Sequence, residues 1–423
     1  MKRLTIYLST LLILLQVKNS IAQQSPILFQ GATIHVGNGA IIENGYLGIA
    51  QGKIGLCSTQ LDSLFTKAVR IDVTGKHIYP GLISLNNMMG LNEVEAVRAT
   101  LDFKEVGELN PNVRSLIAFN TDSKIVPTAL ANGILYTQPV PQGGLISGTS
   151  SLMRTTGWNW EDAAYKIDDG IHLNWPEENS YSGWWAEPGS AQQQKVEKEI
   201  KTLNEFFDQA QQYANTATPS VFNARLNAMK GVFKQSQNVY IHVSEAKSIA
   251  TAIVFFNQYP AINIVLVDAT DAWQVKELIK EKNIPIVFTN VHQLPKHYHS
   301  AIDQPYKTVS QLVKEGITVA IGHNGYWEVR NLMYNAGTAV AYGLTKEEAL
   351  QCITLNAAKI VGVAQSIGSL EKTKDASFVI SSGDILDMRT SIVERAFMDG
   401  TELNLDNQQK QLYKKYSDKY NLK

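Results

Sequence analysis

Between Ile78 and Val363, short apolar runs alternate with longer amphipathic stretches, and this alternation constrains the fold more than any other feature of the chain. The clearest runs are GLISL (81–85), GILYTQ (133–138), VYIHV (239–243), INIVLVD (262–268), IPIVFT (284–289) and TVAIG (318–322). Strands that alternate with helical patterns predict parallel βα units, and six or more units in series favour an α/β fold with a closed (β/α)8 barrel of the TIM type. A doubly wound open sheet is the alternative, because strand counts from a single sequence are imprecise.

Strand-like segments with turn signals occupy both ends of the chain. One group extends from Ile27 to Val73, with turns at sites such as Asn44-Gly45, and the other includes 376–381 and 391–398. We therefore predict a small composite β-sandwich made from residues 23–77 and 368–405, flanking a barrel at 78–367. The residue pattern at 406–423 predicts a C-terminal helix.

The first residues have the pattern of a signal peptide. Lys2 and Arg3 precede an apolar run from Leu4 to Val17, and Ser20-Ile21-Ala22 suits signal peptidase. A run of about 14 residues is short of the roughly 20 that cross a bilayer, so we expect no membrane span. The prediction is a signal peptide at 1–22 and an exported protein, periplasmic or secreted.

The charge balance argues against a nucleic-acid partner. The whole chain has 38 Lys and Arg against 39 Asp and Glu, and removal of residues 1–22 leaves 35 basic against 39 acidic side chains. A mature net charge of about −4 gives no basic surface for phosphates.

Three segments, in the expected order, resemble the amidohydrolase superfamily, particularly imidazolonepropionase and related exported dipeptidases. KHIYPGLIS (76–84) resembles the entry into the first barrel strand. Residues 329–363, VRNLMYNAGTAVAYGLTKEEALQCITLNAAKIVGV, are similar to the segment after the last barrel strand, and GSLEKTKDASFVI (368–380) resembles the return to the terminal sheet. The resemblance implies a barrel with a composite β-sandwich built from both chain ends.

The resemblance also implies a site for one or two divalent metals at the carboxyl ends of the barrel strands. Family enzymes use a His-x-His pair after the first strand, single histidines after the fifth and sixth, and an Asp after the eighth. The metal lowers the pKa of its bound water, and the Asp accepts the proton as hydroxide attacks a carbonyl.

Most of these ligand positions are changed here. Asn86 and Met88 replace the His-x-His pair, Asp268 lies nearest the sixth-strand histidine, and Asn324 replaces the Asp, whereas His242 is retained on the fifth strand. A neutral amide is a weak ligand that cannot accept a proton at neutral pH, and a thioether suits soft Cu(I). We therefore predict no catalytic metal and no cofactor, with Asn86, Met88 and Asn324 as ligand-contacting residues.

Two functional hypotheses follow. The first is a degenerate amidohydrolase that binds a small amide-like or peptide-derived ligand, as a homo-oligomer or paired with a metal-competent paralogue. The second is an active hydrolase of carbon–nitrogen bonds, in which His242, Asp268 and His323 form a rearranged site with one divalent metal such as zinc, or none. A scaffold that uses the Trp-rich insertion at 158–188 is also compatible with the sequence.

Two histidine placements stay open at this stage. His323 precedes Asn324 on the predicted eighth strand, and neighbouring strand residues point to opposite faces, so His323 reaches the pocket only if the strand bulges or ends there. His292, His297 and His299 follow the seventh strand, where they form either a metal site or a solvated loop.

Overall fold

The computed structural model describes residues 25–177, 189–298 and 300–422. The predicted signal peptide, residues 178–188 of the predicted Trp-rich insertion, and His299 lie outside these ranges. Residues 164–174 of that predicted insertion form a barrel strand, so this part of the prediction is wrong. Within them the strands are, in chain order, β1 (Ile27–His35), β2 (Ile41–Ala50), β3 (Lys53–Ser58), β4 (Val69–Asp72), β5 (His77–Pro80), β6 (Leu82–Asn87), β7 (Ile134–Pro139), β8 (Ile146–Arg154), β9 (Ala164–Asn174), β10 (Asn238–Val243), β11 (Ile264–Asp268), β12 (Ile286–Phe288), β13 (Val319–Ile321), β14 (Phe378–Ser381), β15 (Val393–Met398) and β16 (Thr401–Glu402).

The helices connect the strands and cover the sheets. In chain order they are α1 (Ser115–Ala118), α2 (Val126–Leu130), α3 (Trp160–Ala163), α4 (Gly189–Asn215), α5 (Ala224–Ala228), α6 (Lys230–Phe233), α7 (Ala246–Phe256), α8 (Lys276–Glu281), α9 (Gln304–Lys314), α10 (Leu332–Ala341), α11 (Lys346–Cys352), α12 (Leu355–Val361) and α13 (Gln408–Tyr420). In the parts of the chain that the structure describes, no helix has the length and apolar character needed to cross a membrane.

A terminal sheet joins the two ends of the chain. Its strand order is β16-β15-β14-β5-β1-β2-β3, and β4 also pairs with β1. The antiparallel pairing of β5 with β14, in which Ile78 faces Ile380, brings the two ends into one sheet. Within its core Phe378 stacks on Phe397, and Phe29 packs edge-on against both, at centroid distances of 4.8 to 5.2 Å. The predicted sheet made from both termini is confirmed.

Strands β6 to β13 form the barrel, with neighbours in sequence order. A parallel bridge between Leu85 and Gly322 joins the first strand to the end of the eighth, so the barrel is nearly closed. A Cβ atom on Gly322 would lie 2.7 Å from the Leu85 carbonyl oxygen, and only glycine permits this approach. The TIM-type barrel predicted from the strand–helix alternation is therefore confirmed.

One part of that prediction is wrong, because the barrel is not uniformly parallel. Most of β8 lies in the Gly-rich segment 141–153, and this strand runs antiparallel to both β7 and β9. Only a short turn with Gly143 and Gly144 at positive φ separates β7 from β8, so the chain must reverse direction. The pattern was missed because the buried strand is rich in Ser, Thr and Gly instead of alternating apolar residues.

Residues 346–361 form two helices, α11 and α12, interrupted at residues 353–354. Thr345 caps the first of them. The Thr345 hydroxyl accepts a hydrogen bond from the Glu348 backbone N–H at 3.2 Å, and the Glu348 carboxylate accepts one from the Thr345 N–H at 2.8 Å. This capping box satisfies two N–H groups that the helix itself cannot pair.

We expect Thr345→Ala to lower the free energy of unfolding by about 1 kcal/mol, because it removes the cap acceptor. Urea denaturation followed by circular dichroism measures this change. Thr345→Ser keeps the hydroxyl and serves as the matched control. An alanine variant as stable as the serine variant would show that the cap contributes nothing.

Candidate functional site

The candidate residues gather where the barrel strands end. Asn86 lies near the end of β6, His242 in β10 and Asp268 at the end of β11, while Asn324 follows β13. In a TIM-type barrel the carboxyl ends of the strands form the functional face. The fold therefore places these four sequence-predicted residues on one face of the barrel.

Two amide side chains join the first and eighth strands. The Asn86 Nδ2 donates to Asn324 Oδ1 at 2.8 Å and to the His323 carbonyl at 3.2 Å. Asn324 Nδ2 donates in turn to Thr289 Oγ1 at 3.1 Å. Asn86 has a φ of +55°, a left-handed conformation that asparagine adopts more readily than most residues. Its Oδ1 is buried and has no hydrogen-bond partner among the described residues.

His242 pairs with His172, a residue that the sequence reasoning missed. His172 Nδ1 lies 2.8 Å from His242 Nε2, and the His172 ring stacks on Tyr240 with centroids 4.7 Å apart. Burial lowers the pKa of His242 to about 4 and lowers that of His172 well below its usual value. Both imidazoles are neutral at pH 7, so one ring donates the shared hydrogen bond and the other accepts it.

Beneath this pair lies a buried carboxylate, Asp169. It accepts hydrogen bonds from Tyr240 at 2.7 Å, Ser150 at 2.8 Å and Gln138 at 2.7 Å, and burial raises its pKa. Gln138 also accepts the Asn86 backbone N–H at 3.1 Å. A continuous series of hydrogen bonds and ring contacts therefore connects the first barrel strand with the fifth through the barrel interior.

The sequence of β9, which carries Asp169 and His172, has a pattern that indicates a strand. In β9, Asp169, Ile171 and Leu173 alternate with Gly170 and His172, which is the period of a strand. A Cβ atom at Gly170 would come within 2.3 Å of the Tyr240 ring, so the glycine makes room for the ring that stacks on His172. The alternation could have identified β9, although it does not reveal which of its polar residues are buried.

Asp268 lies at the rim of the barrel with a φ of +71°. Its carboxylate accepts the Thr270 hydroxyl at 2.9 Å, and burial raises its pKa to about 6. Close by in sequence, Asp271 is 2.8 Å from His297 Nε2. The loop after the seventh strand thus reaches the loop after the sixth.

The side chains of His323 and Asn324 have different hydrogen-bond partners. Its Nε2 accepts a hydrogen bond from Asn335 Nδ2 of α10 at 2.8 Å, and burial lowers its pKa to about 4. In the described ranges no hydrogen bond or ion pair connects His323 with His242 or Asp268. The structure brings His323 to α10 and Asn324 to Asn86, and both residues follow the end of β13 at Ile321.

The donors at these positions do not fit the hydrolytic metal site that the resemblance implies. Met88 is partly buried against the core and, with Asn86, supplies a thioether and an amide where two imidazoles are required. Across residues 25–177, 189–298 and 300–422, no group of three or more His, Cys, Asp or Glu side chains is arranged to hold a metal ion.

Comparison with known proteins supports the same fold. The model of the Amidohydrolase family matches residues 185–404. An imidazolonepropionase of Acinetobacter baumannii is 27% identical over 158 residues, which cover 35% of this chain and 37% of that protein. The chain therefore spans little more than a third of the length of this curated relative.

Solved structures resemble nearly the whole chain. An amidohydrolase from Thermotoga maritima has a TM-score of 0.76 and 23% identity, covering 89% of this chain and 99% of the other. A prolidase complexed with N-methylphosphonate-L-proline has a TM-score of 0.55 and 15% identity, covering 90% and 100%. At these identities the likeness concerns the fold. Part of the chain is similar to imidazolonepropionases, and because the family model matches more than half of the residues, the chain belongs to the amidohydrolase family.

Proposed function

We propose that this protein binds a small amide or peptide-derived molecule at the carboxyl ends of its barrel strands and does not catalyse metal-dependent hydrolysis. The observation that carries the proposal is the hydrogen bond between Asn86 and Asn324. It occupies the two strand ends at which the family places metal ligands and a proton acceptor. An amide pair there can recognise hydrogen-bonding groups but cannot activate water as a metal with a carboxylate does.

The free acceptor at this position supports an amide ligand. Asn86 Oδ1 is buried without a partner among the described residues, and a buried polar atom is strongly stabilised by a hydrogen bond. The N–H of an amide would satisfy it. The relatives include imidazolonepropionases and a prolidase with a bound proline derivative, which agrees with a small ligand of this type.

The state of His242 also supports a binding role. Its Nε2 is engaged with His172, so an ion at that atom would have to displace this hydrogen bond. Replacing most direct ligands removes the affinity on which a catalytic ion depends, whereas one changed ligand can be tolerated.

A second candidate function is hydrolysis by a rearranged site. The observation that favours it is Asp268, because a carboxyl group with a pKa of about 6 is suited to general base catalysis near neutral pH. This candidate requires turnover that increases with pH around that value and is lost in Asp268→Asn. The binding proposal requires no turnover at any pH.

Elemental analysis combined with hydrolysis assays separates the two functions. We expect the purified wild-type protein to contain far less than one zinc per chain and to hydrolyse no N-acylated amino acids, dipeptides or cyclic imides. At least one of these compounds should raise the melting temperature, because a ligand that binds only the folded state stabilises it.

Asn86→His/Met88→His restores the His-x-His pair and should increase zinc retention. Stoichiometric zinc in the wild type, with turnover abolished by His242→Ala, would overturn the proposal.

The amide pair itself can be tested with a double-mutant cycle. Asn86→Gly removes the side chain while keeping the left-handed backbone accessible, and Asn324→Ala removes the partner. We expect the two substitutions to be non-additive in the free energy of unfolding by about 1 kcal/mol, because each breaks the same hydrogen bond. Additive effects would mean that the pair does not stabilise the barrel mouth.

A further inference from the structure

A polar cavity lies behind the eighth strand. It has a volume of about 350 Å³ and extends from the strand end to α10. His323 and Asn335, which are hydrogen-bonded to each other, form part of its wall. The remaining wall is also mostly polar and includes Thr289, His292, Gln293, Asn324, Glu328 and Asn331. A volume of this size accommodates a small molecule.

Two buried atoms of the cavity wall are without hydrogen-bond partners among the described residues. They are His323 Nδ1 and Asn335 Oδ1, and each of the two residues is only 5% exposed. Buried polar atoms in folded proteins are almost always paired with protein, water or ligand. Two such atoms on adjacent, mutually bonded side chains require a common explanation.

The hydrogen bond between the two side chains defines what would satisfy them. Because His323 Nε2 accepts from Asn335, the neutral ring carries its proton on Nδ1. The wall then offers one unpaired donor, His323 Nδ1–H, and one unpaired acceptor, Asn335 Oδ1. Rotating the Asn335 amide by 180° exchanges the roles but again leaves one donor and one acceptor. A primary carboxamide is a small neutral group that supplies both complements, a carbonyl oxygen and an N–H.

The charge of the cavity favours a neutral occupant. Among the described residues, the wall includes no Lys or Arg that could neutralise a carboxylate, and Glu328 would repel one. Burial lowers the pKa of both His323 and His292, so the imidazoles carry no positive charge at neutral pH. Transferring an anion into such a site is costly, since nothing there pairs with it.

We propose that this cavity binds the primary carboxamide of a small neutral molecule and that His323 and Asn335 recognise it. The inference rests on the proposed function in that the ligand is an amide, and it adds the chemical group and the residues that select it. Asn324 belongs both to the cavity wall and to the hydrogen bond with Asn86. An occupant therefore lies next to the amide pair at the barrel mouth.

The test uses three matched probes that differ only in the terminal group: N-acetyl-L-alaninamide, its N,N-dimethylamide and N-acetyl-L-alanine. Isothermal titration calorimetry on the full-length mature protein measures their affinities. We expect the primary amide to bind at least about tenfold more tightly than the dimethylamide, whose terminal group has no N–H, and than the carboxylate, whose terminal group has no donor and carries a charge.

Variants locate the binding site. Asn335→Leu and His323→Phe should each weaken binding of the primary amide at least about tenfold. His77→Phe removes an imidazole from the terminal sheet and is the matched control, expected to bind as the wild type does. Because a cavity variant can fail to fold, the ring nitrogens of His323 are also followed by ¹⁵N NMR in the wild type. The primary amide should shift its Nδ1 resonance.

The outcomes are distinguishable. Equal affinity for all three probes, no binding of the amide, or binding unaffected by both cavity variants would overturn the inference. If the cavity variants leave binding unchanged and Asn86→Gly weakens it, the ligand lies at the barrel mouth. The proposed function then stands without the cavity. Stoichiometric zinc with turnover would overturn the proposed function, and the effects of Asn335→Leu on amide affinity would still decide the cavity.

Discussion

The close contact between the first and eighth strands is the constraint on which the rest of the structure depends. Gly322 allows its strand to approach the Leu85 backbone, and this contact nearly closes the barrel. It also brings the positions after the two strands within reach of each other. These positions are Asn86 and Asn324 in this chain. A hydrogen bond between their amide side chains joins the two strand ends, where the family has metal ligands and a proton acceptor.

The buried polar side chains in the barrel interior are also held by hydrogen bonds to one another. Among the described residues no basic side chain contacts the buried Asp169 directly, but three donors surround it, and Tyr240 connects it to the stacked His172. Such a network is favourable only when its members are satisfied, because an unpaired polar group in a low-dielectric interior is costly. Seven buried side-chain atoms have no hydrogen-bond partner among the described residues, and those on Asn86, His323 and Asn335 lie where we propose that a ligand binds.

The fold could be predicted from the sequence because strand–helix alternation and the turn-rich termini are local signals. The segment with His242 and the end of β11 at Asp268 were placed in this way, and the structure has them in β10 and β11. β8 was missed because buried Ser and Thr residues lack an apolar period, and their hydroxyls are satisfied by long-range partners such as Asp169. The side taken by His323 depends on α10, and the pairing of His172 with His242 depends on strand order, neither of which is encoded locally. The site roles therefore remain predictions, although the residues lie on the expected strands.

The pairing of β5 with β14 has a consequence for how the molecule is made. Ile78 and Ile380 are neighbours across these strands although the whole barrel separates them in sequence. Because β14 follows the barrel in the chain, it leaves the ribosome only after the whole barrel has been synthesised, and β5 has no β14 partner until then. Closing so large a loop carries an entropic cost that only contacts formed at the end can offset, which makes the joining of the termini a late step in folding.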